Sequence, residues 1–141
     1  MIEKAKAGIQ LKSIMLVDSM FTRGGYLDIP NINEQEMRIQ VGGGERNDKF
    51  IDCSVLVELG EINNKDKFAF AVNMIGIFEK TSDFPLSIDE FCKINAASII
   101  FPYIRQHIRS LSLDAGLAPI ILPLVNFQKM YELDKEKSQD A

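Results

Sequence analysis

Residues 68–91 read FAFAVNMIGIFEKTSDFPLSIDEF, and the spacing of their apolar side chains changes once, near residue 85. Before that point Phe68, Phe70, Val72 and Met74 alternate with Ala69, Ala71, Ile75 and Ile77, the two-residue period of a strand. After it Ser87-Ile88-Asp89-Glu90 has the form of a capping box, in which the Ser87 hydroxyl accepts from the Glu90 amide. Ile88, Phe91, Cys92, Ile94, Ala97, Ile100, Phe101, Ile104, Ile108, Leu111 and Leu113 then follow at helical spacing. Strand-like sequence on one side and helical sequence on the other is the pattern of an α+β fold. The strand at 68–79 is apolar on both faces, and helices cover only one. The second face requires another cover, a subunit or a ligand.

Working toward the N-terminus, Gly60 and residues 63–67 form a hairpin into a preceding strand that carries Ile51, Cys53, Val55, Val57 and Leu59 on one face. Gly42-Gly43-Gly44 followed by Glu45 to Lys49 reads as a solvated turn, and Met37, Ile39 and Val41 as a short half-buried strand before it. Tyr26 to Glu34 reads as an irregular crossing. The first strand, about Gly8 to Arg23, changes apolar parity between Leu11 and Ile14, so a β-bulge is expected near Ser13. Toward the C-terminus, Pro102 removes an amide from the helix and predicts a break or kink between Ala97 and Pro102. Asp114-Ala115-Gly116 ends that helix, an apolar loop with Pro119 and Pro123 follows, and Asn126 caps a last helix carrying Phe127, Met130, Tyr131 and Leu133. Residues 1–133 are read as one domain and 134–141 as a disordered charged tail.

Sixteen Lys and Arg against twenty Asp and Glu give a formal charge of −4, which disfavours nucleic acid and anionic lipid as partners. The first eight residues lack the apolar core of a secretory signal, and the longest apolar run, 117–125, is about half of a membrane span. A cytoplasmic protein without membrane insertion is therefore expected, with Cys53 and Cys92 reduced. Catalytic constellations are missing. His107 is the single histidine and reads as part of a solvated helix face with Arg105 and Arg109. Cys53, Cys92 and His107 lack the further close-spaced ligands of a zinc site, and no Gly-Lys-Ser/Thr follows the glycines at 42–44. No enzyme, metal or cofactor is expected. Nine Phe, three Tyr and six Met form an apolar surplus that chemistry does not use.

Ile99-Ile100-Phe101-Pro102-Tyr103-Ile104-Arg105, then Gly116, then the stretch ending Pro123-Leu124-Val125-Asn126-Phe127 resemble the bacterial SecB protein-export chaperone family over some forty residues. Looser matches fall at Ile9-Gln10-Leu11 with Asp18, at Leu59-Gly60-Glu61 and at Gly76-Ile77-Phe78. The resemblance implies a four-stranded antiparallel sheet with a long kinked helix and a short C-terminal helix packed on one face. It also implies a dimer of dimers built through the long helix, for which Phe101, Ile104, Ile108 and Leu111 are the interface candidates. The implied activity is ATP-independent binding of unfolded or precursor polypeptides in apolar grooves, for protein export. Leu16, Phe21, Tyr26, Phe78, Phe84, Leu117, Ile120, Leu122, Phe127, Met130 and Tyr131 are the groove candidates. In that family three carboxylates on the sheet dock the SecA translocase motor; here Asp18 keeps the first position, while Thr22 and Ala71 replace the other two. Service as the dedicated chaperone of an antitoxin is an alternative, and binding of an apolar small molecule by a plain α+β module is another.

Overall fold

The period-two stretches become four strands, β1 (Ile9–Thr22), β2 (Met37–Glu45), β3 (Phe50–Gly60) and β4 (Ala69–Lys80). They form one antiparallel sheet in the order β1-β4-β3-β2. This computed structural model describes residues 8–25, 37–64, 66–81, 84 and 87–140. Tyr26, the 26–34 crossing and the residues before Gly8 lie outside that set. β1 shifts register against β4 twice, between Leu11 and Ser13 and between Leu16 and Asp18. The first shift is the bulge its parity change predicts, and together they return Leu11, Ile14, Leu16, Ser19 and Phe21 to one face.

Residues 88–114 form one helical rod, α1, made of Ile88–Glu90, a π-helical stretch Phe91–Ala96, and Ala97–Asp114. Its start is the expected cap, with the Glu90 amide donating to Ser87 Oγ at 3.1 Å. Of the expected break or kink between Ala97 and Pro102, no break occurs: helix runs through Pro102, and a π-helical stretch sits one turn earlier. There Ser98 Oγ donates to the Ile94 carbonyl at 2.6 Å. Cys92, Ala96, Ala97, Ile100, Ile104 and Ile108 make the stripe that α1 buries on β3 and β4, meeting Ile51, Cys53, Val55, Val57, Phe70, Val72 and Phe78. Each Ile, Val and Phe among them contributes about 1.5–3 kcal/mol on burial. The rod ends at Gly116, which takes φ 75° while its amide and that of Leu117 bond back to Leu113 and Ser112.

Two further expectations are corrected. Gly42-Gly43-Gly44 is not a turn: all three lie within β2, with Gly43 opposite Cys53, and the reversal falls beyond Glu45, where Asn47 Oδ1 accepts from the Lys49 and Phe50 amides at 2.9 and 3.0 Å. Gly43 serves close approach, because a Cβ there would stand 2.5 Å from the Asp52 carbonyl oxygen and 2.7 Å from Cys92 Sγ. The last helix, α2 (Phe127–Asp140), includes most of the stretch read as a disordered tail. Once Asn126 caps the first turn, through Oδ1 and the Lys129 amide at 2.9 Å, each added residue costs little and Asp134 to Asp140 propagate it.

Candidate functional site

The segment 117–125 decides what surface the molecule offers. It is pinned by Ser112, a fully buried polar residue whose hydroxyl donates to the Arg109 carbonyl at 2.6 Å and accepts from the Ile120 amide at 3.1 Å. With Ile120 anchored, Ile120 and Leu122 enter the core and Ile121 between them stands 75% exposed; the alternation ends at Pro123, and Leu124 beyond it stands 86% exposed. Pro102, Arg105, Gln106 and Arg109 of α1 face this loop across an open cleft of about 370 Å³.

A second cleft, of about 400 Å³, lies between β2 and α2. Ile39, Val41, Met130 and Tyr131 form its apolar walls, and Gln40, Lys93 and Asp134 its polar rim. Lys93 is tied to Asp89 at 3.2 Å. The Lys135 ammonium lies 4.7 Å from the Tyr131 ring centre, and its hydrogen bond with Tyr131 raises its pKa above the ordinary lysine value.

The eleven groove candidates therefore divide. Met130 and Tyr131 come together in the second cleft. Leu117, Phe21 and Phe84 are half-buried: Phe21 stacks with Phe70 at 4.8 Å, and Phe84 meets Phe91 edge-on at 5.3 Å. Leu16 stands 48% exposed on the helix-side face of β1. Phe78 and Phe127 are core residues, which corrects their assignment to a surface; Phe78 packs on Phe91 at 5.1 Å and Phe127 on Phe101 at 5.5 Å. Ile120 and Leu122 are buried, and with Ile121 they line the first cleft. Tyr26 is outside the described residues.

The interface candidates are corrected on the same ground. Ile104 and Ile108 are buried on the chain's own sheet, Phe101 is buried beside Phe127 of α2 and Leu111 is half-buried, so α1 turns a different set outward. Ile99, Tyr103 and Leu113 are its exposed apolar residues, Tyr103 at 51%. The sheet face away from the helices holds half-buried Leu56, Ile75 and Ile77 beside exposed Met15, and no helix covers it among the described residues. Asp18, Thr22 and Ala71 lie on this face, Asp18 opposite Asn73, with Asp18 the one carboxylate of the three.

Sequence reasoning missed Ile121, Leu124, Ile39, Val41, Ile99 and Tyr103. The stretch 120–124 is apolar at every position but Pro123, so nothing within it tells Ile120 from Ile121; the hydrogen bond from the Ile120 amide to Ser112 does. His107 is half-buried, and its Nε2 lies 2.8 Å from Ser19 Oγ in an exposed contact that ties α1 to β1. Among the described residues no group of three or more His, Cys, Asp or Glu gathers into a metal site, and no helix is long and apolar enough to cross a membrane.

Comparison with known proteins gives these clefts a context. The family described as preprotein translocase subunit SecB matches residues 27–138. The protein-export protein SecB of Saccharophagus degradans is 28% identical over 138 residues, covering 91% of this chain and 79% of that protein. That of Chromobacterium violaceum is 22% identical over 142 residues, covering 94% and 95%. Among solved structures, the SecB-like chaperone of Mycobacterium tuberculosis, in complex with a ChAD peptide from an antitoxin, superposes with a TM-score of 0.62 at 13% identity, covering 84% of this chain and 91% of that one.

Proposed function

The chain belongs to the SecB family, and on that premise we propose that it is a cytoplasmic, ATP-independent holdase that binds non-native polypeptides on distributed apolar surfaces and keeps them competent for export. The observation that carries this reading is the exposure of Ile121, which lines the first cleft, and of Leu124 on the same loop. A residue that is 86% exposed, as Leu124 is, contributes nothing to its own core. Several shallow contacts of this kind, each worth about 1–3 kcal/mol when covered, hold any apolar chain without requiring one sequence. The pliable Met130 side chain of the second cleft suits variable occupants. Nucleotide plays no part in the proposal, since the glycines of β2 lead into a hairpin and not a helix.

A second reading, service to an antitoxin, is favoured by the sheet face. With Asp18 alone where three carboxylates would dock a basic translocase motor, attraction for such a partner is reduced, and the structural relative carries an antitoxin peptide. Self-association as a dimer of dimers belongs to both readings. Ile99, Tyr103 and Leu113 on α1 are the residues we assign to it.

The test is size-exclusion chromatography with light scattering, first on the protein alone and then with a urea-unfolded client diluted into buffer without ATP. The expected result is a particle of four chains that co-elutes with the client and suppresses its aggregation. Unchanged client scattering at one tetramer per client would overturn the holdase reading. Preference for an antitoxin segment over several unrelated unfolded clients would move the second reading to the front.

A further inference from the structure

Cys53 on β3 and Cys92 on the π-helical stretch of α1 are 39 positions apart in the chain, yet their sulfurs lie 2.6 Å apart. Both residues are buried, at 1% and 2% exposure, and both are free thiols. Three features of the fold bring them together. Cys53 sits in register between Gly43 of β2 and Gly76 of β4, so no side chain flanks it on either neighbouring strand. The missing Cβ of Gly43 leaves the room that Cys92 Sγ occupies, and a Cβ on Gly76 would be 3.0 Å from Ile100 Cδ1, so α1 rides unusually close to the sheet along this line. The π-helical stretch then turns residue 92 toward the sheet.

We propose that Cys53 and Cys92 form a dithiol site that peroxide converts to an intrachain disulfide tying β3 to the N-terminal part of α1. The step balances as follows. The Cys92 thiolate attacks one oxygen of hydrogen peroxide, breaking the O–O bond, giving a sulfenic acid and hydroxide. The Cys53 sulfur attacks the sulfenic sulfur, the S–S bond forms, the S–O bond breaks, and the departing oxygen leaves as water with the Cys53 proton after hydroxide is neutralised. In sum, two thiols and one peroxide give one disulfide and two waters. Closing the bond asks the sulfurs to approach by about half an ångström. Either sulfur can donate in the shared hydrogen bond, and the accepting sulfur is the one favoured as thiolate; the step is written with Cys53 as donor and Cys92 as nucleophile, and the exchanged roles give the same disulfide. Burial excludes bulky thiol reagents and neighbouring chains, whereas peroxide is small. The chain holds two cysteines, so each has the other as its one intrachain partner.

The test uses the full-length folded protein, reduced and freed of reductant. It is treated with hydrogen peroxide, unfolded, alkylated with iodoacetamide and digested. The expected result is loss of label at both cysteines, a reductant-sensitive peptide joining Cys53 to Cys92, and a Tm raised by about 5 °C or more that reverts with dithiothreitol. Retained label at both positions, separate sulfinic or sulfonic peptides, or cross-links between chains would overturn the proposal. Cys92→Ser is expected to leave Cys53 fully alkylated and to abolish the Tm rise; the same rise in that variant would equally sink it. Peptide mapping of the unmutated protein decides the matter even if the variant does not fold.

Discussion

A methyl group at Gly43 would meet the Asp52 carbonyl oxygen, Cys92 Sγ and the Cys53 Cα at 2.5, 2.7 and 3.0 Å. Two of these are backbone atoms that cannot swing away. Gly43→Ala is therefore expected to cost about 2–3 kcal/mol, read as a lower urea midpoint with unchanged slope. Gly44→Ala, where a Cβ meets nothing within 4 Å, is the internal control and is expected to cost no more than about 0.5 kcal/mol. Ser112 carries the opposite logic, a buried polar group kept because it serves two backbone partners. Ser112→Ala leaves the Ile120 amide unpaired, so a loss of about 1–3 kcal/mol is expected, with faster hydrogen exchange at that amide. Slow exchange retained at Ile120 would show that the hydroxyl does not hold the loop.

Among the elements, the 117–125 loop gives the sharpest contrast because neighbouring isoleucines have opposite surroundings. Ile121→Asp and Leu124→Asp place a charge in water and are expected to leave stability within about 0.5 kcal/mol while weakening client binding. Ile120→Asp or Leu122→Asp buries an unpaired carboxylate and is expected to cost about 3–5 kcal/mol or to prevent folding. Client affinity by fluorescence titration beside urea melts separates the two pairs; unaltered affinity in the Ile121 and Leu124 variants would remove this loop from the binding surface. α1 and α2 show the same dependence on surroundings. Pro102 passes through a helix because its neighbours hold the rod in place, and the polar end of α2 stays helical because a capped turn precedes it.

For the whole molecule, the expected assembly follows from what α1 leaves outside. Ile99→Asp combined with Tyr103→Asp is expected to reduce a tetramer to dimers in light scattering with the urea midpoint nearly unchanged. Phe101→Asp, directed into the chain's own core, is expected to unfold it. A tetramer that survives the double substitution would place the interface elsewhere, with the uncovered sheet face around Met15, Ile75 and Ile77 the next surface to test. Much of the architecture was legible in the amino-acid order alone. The four strands and the bulge near Ser13 show in the parity of the apolar residues along each strand, and the Ser87 and Asn126 caps and the helix end at Gly116 rest on contacts within a few residues. The α+β class followed from one change of hydrophobic period. Which side of α1 meets the sheet, which of Ile120 and Ile121 turns inward, why three glycines belong to a strand, and how Cys53 finds Cys92 were decided only in three dimensions. Each depends on a partner distant in the chain, and an apolar side chain looks the same in sequence whether it lines a core or a surface.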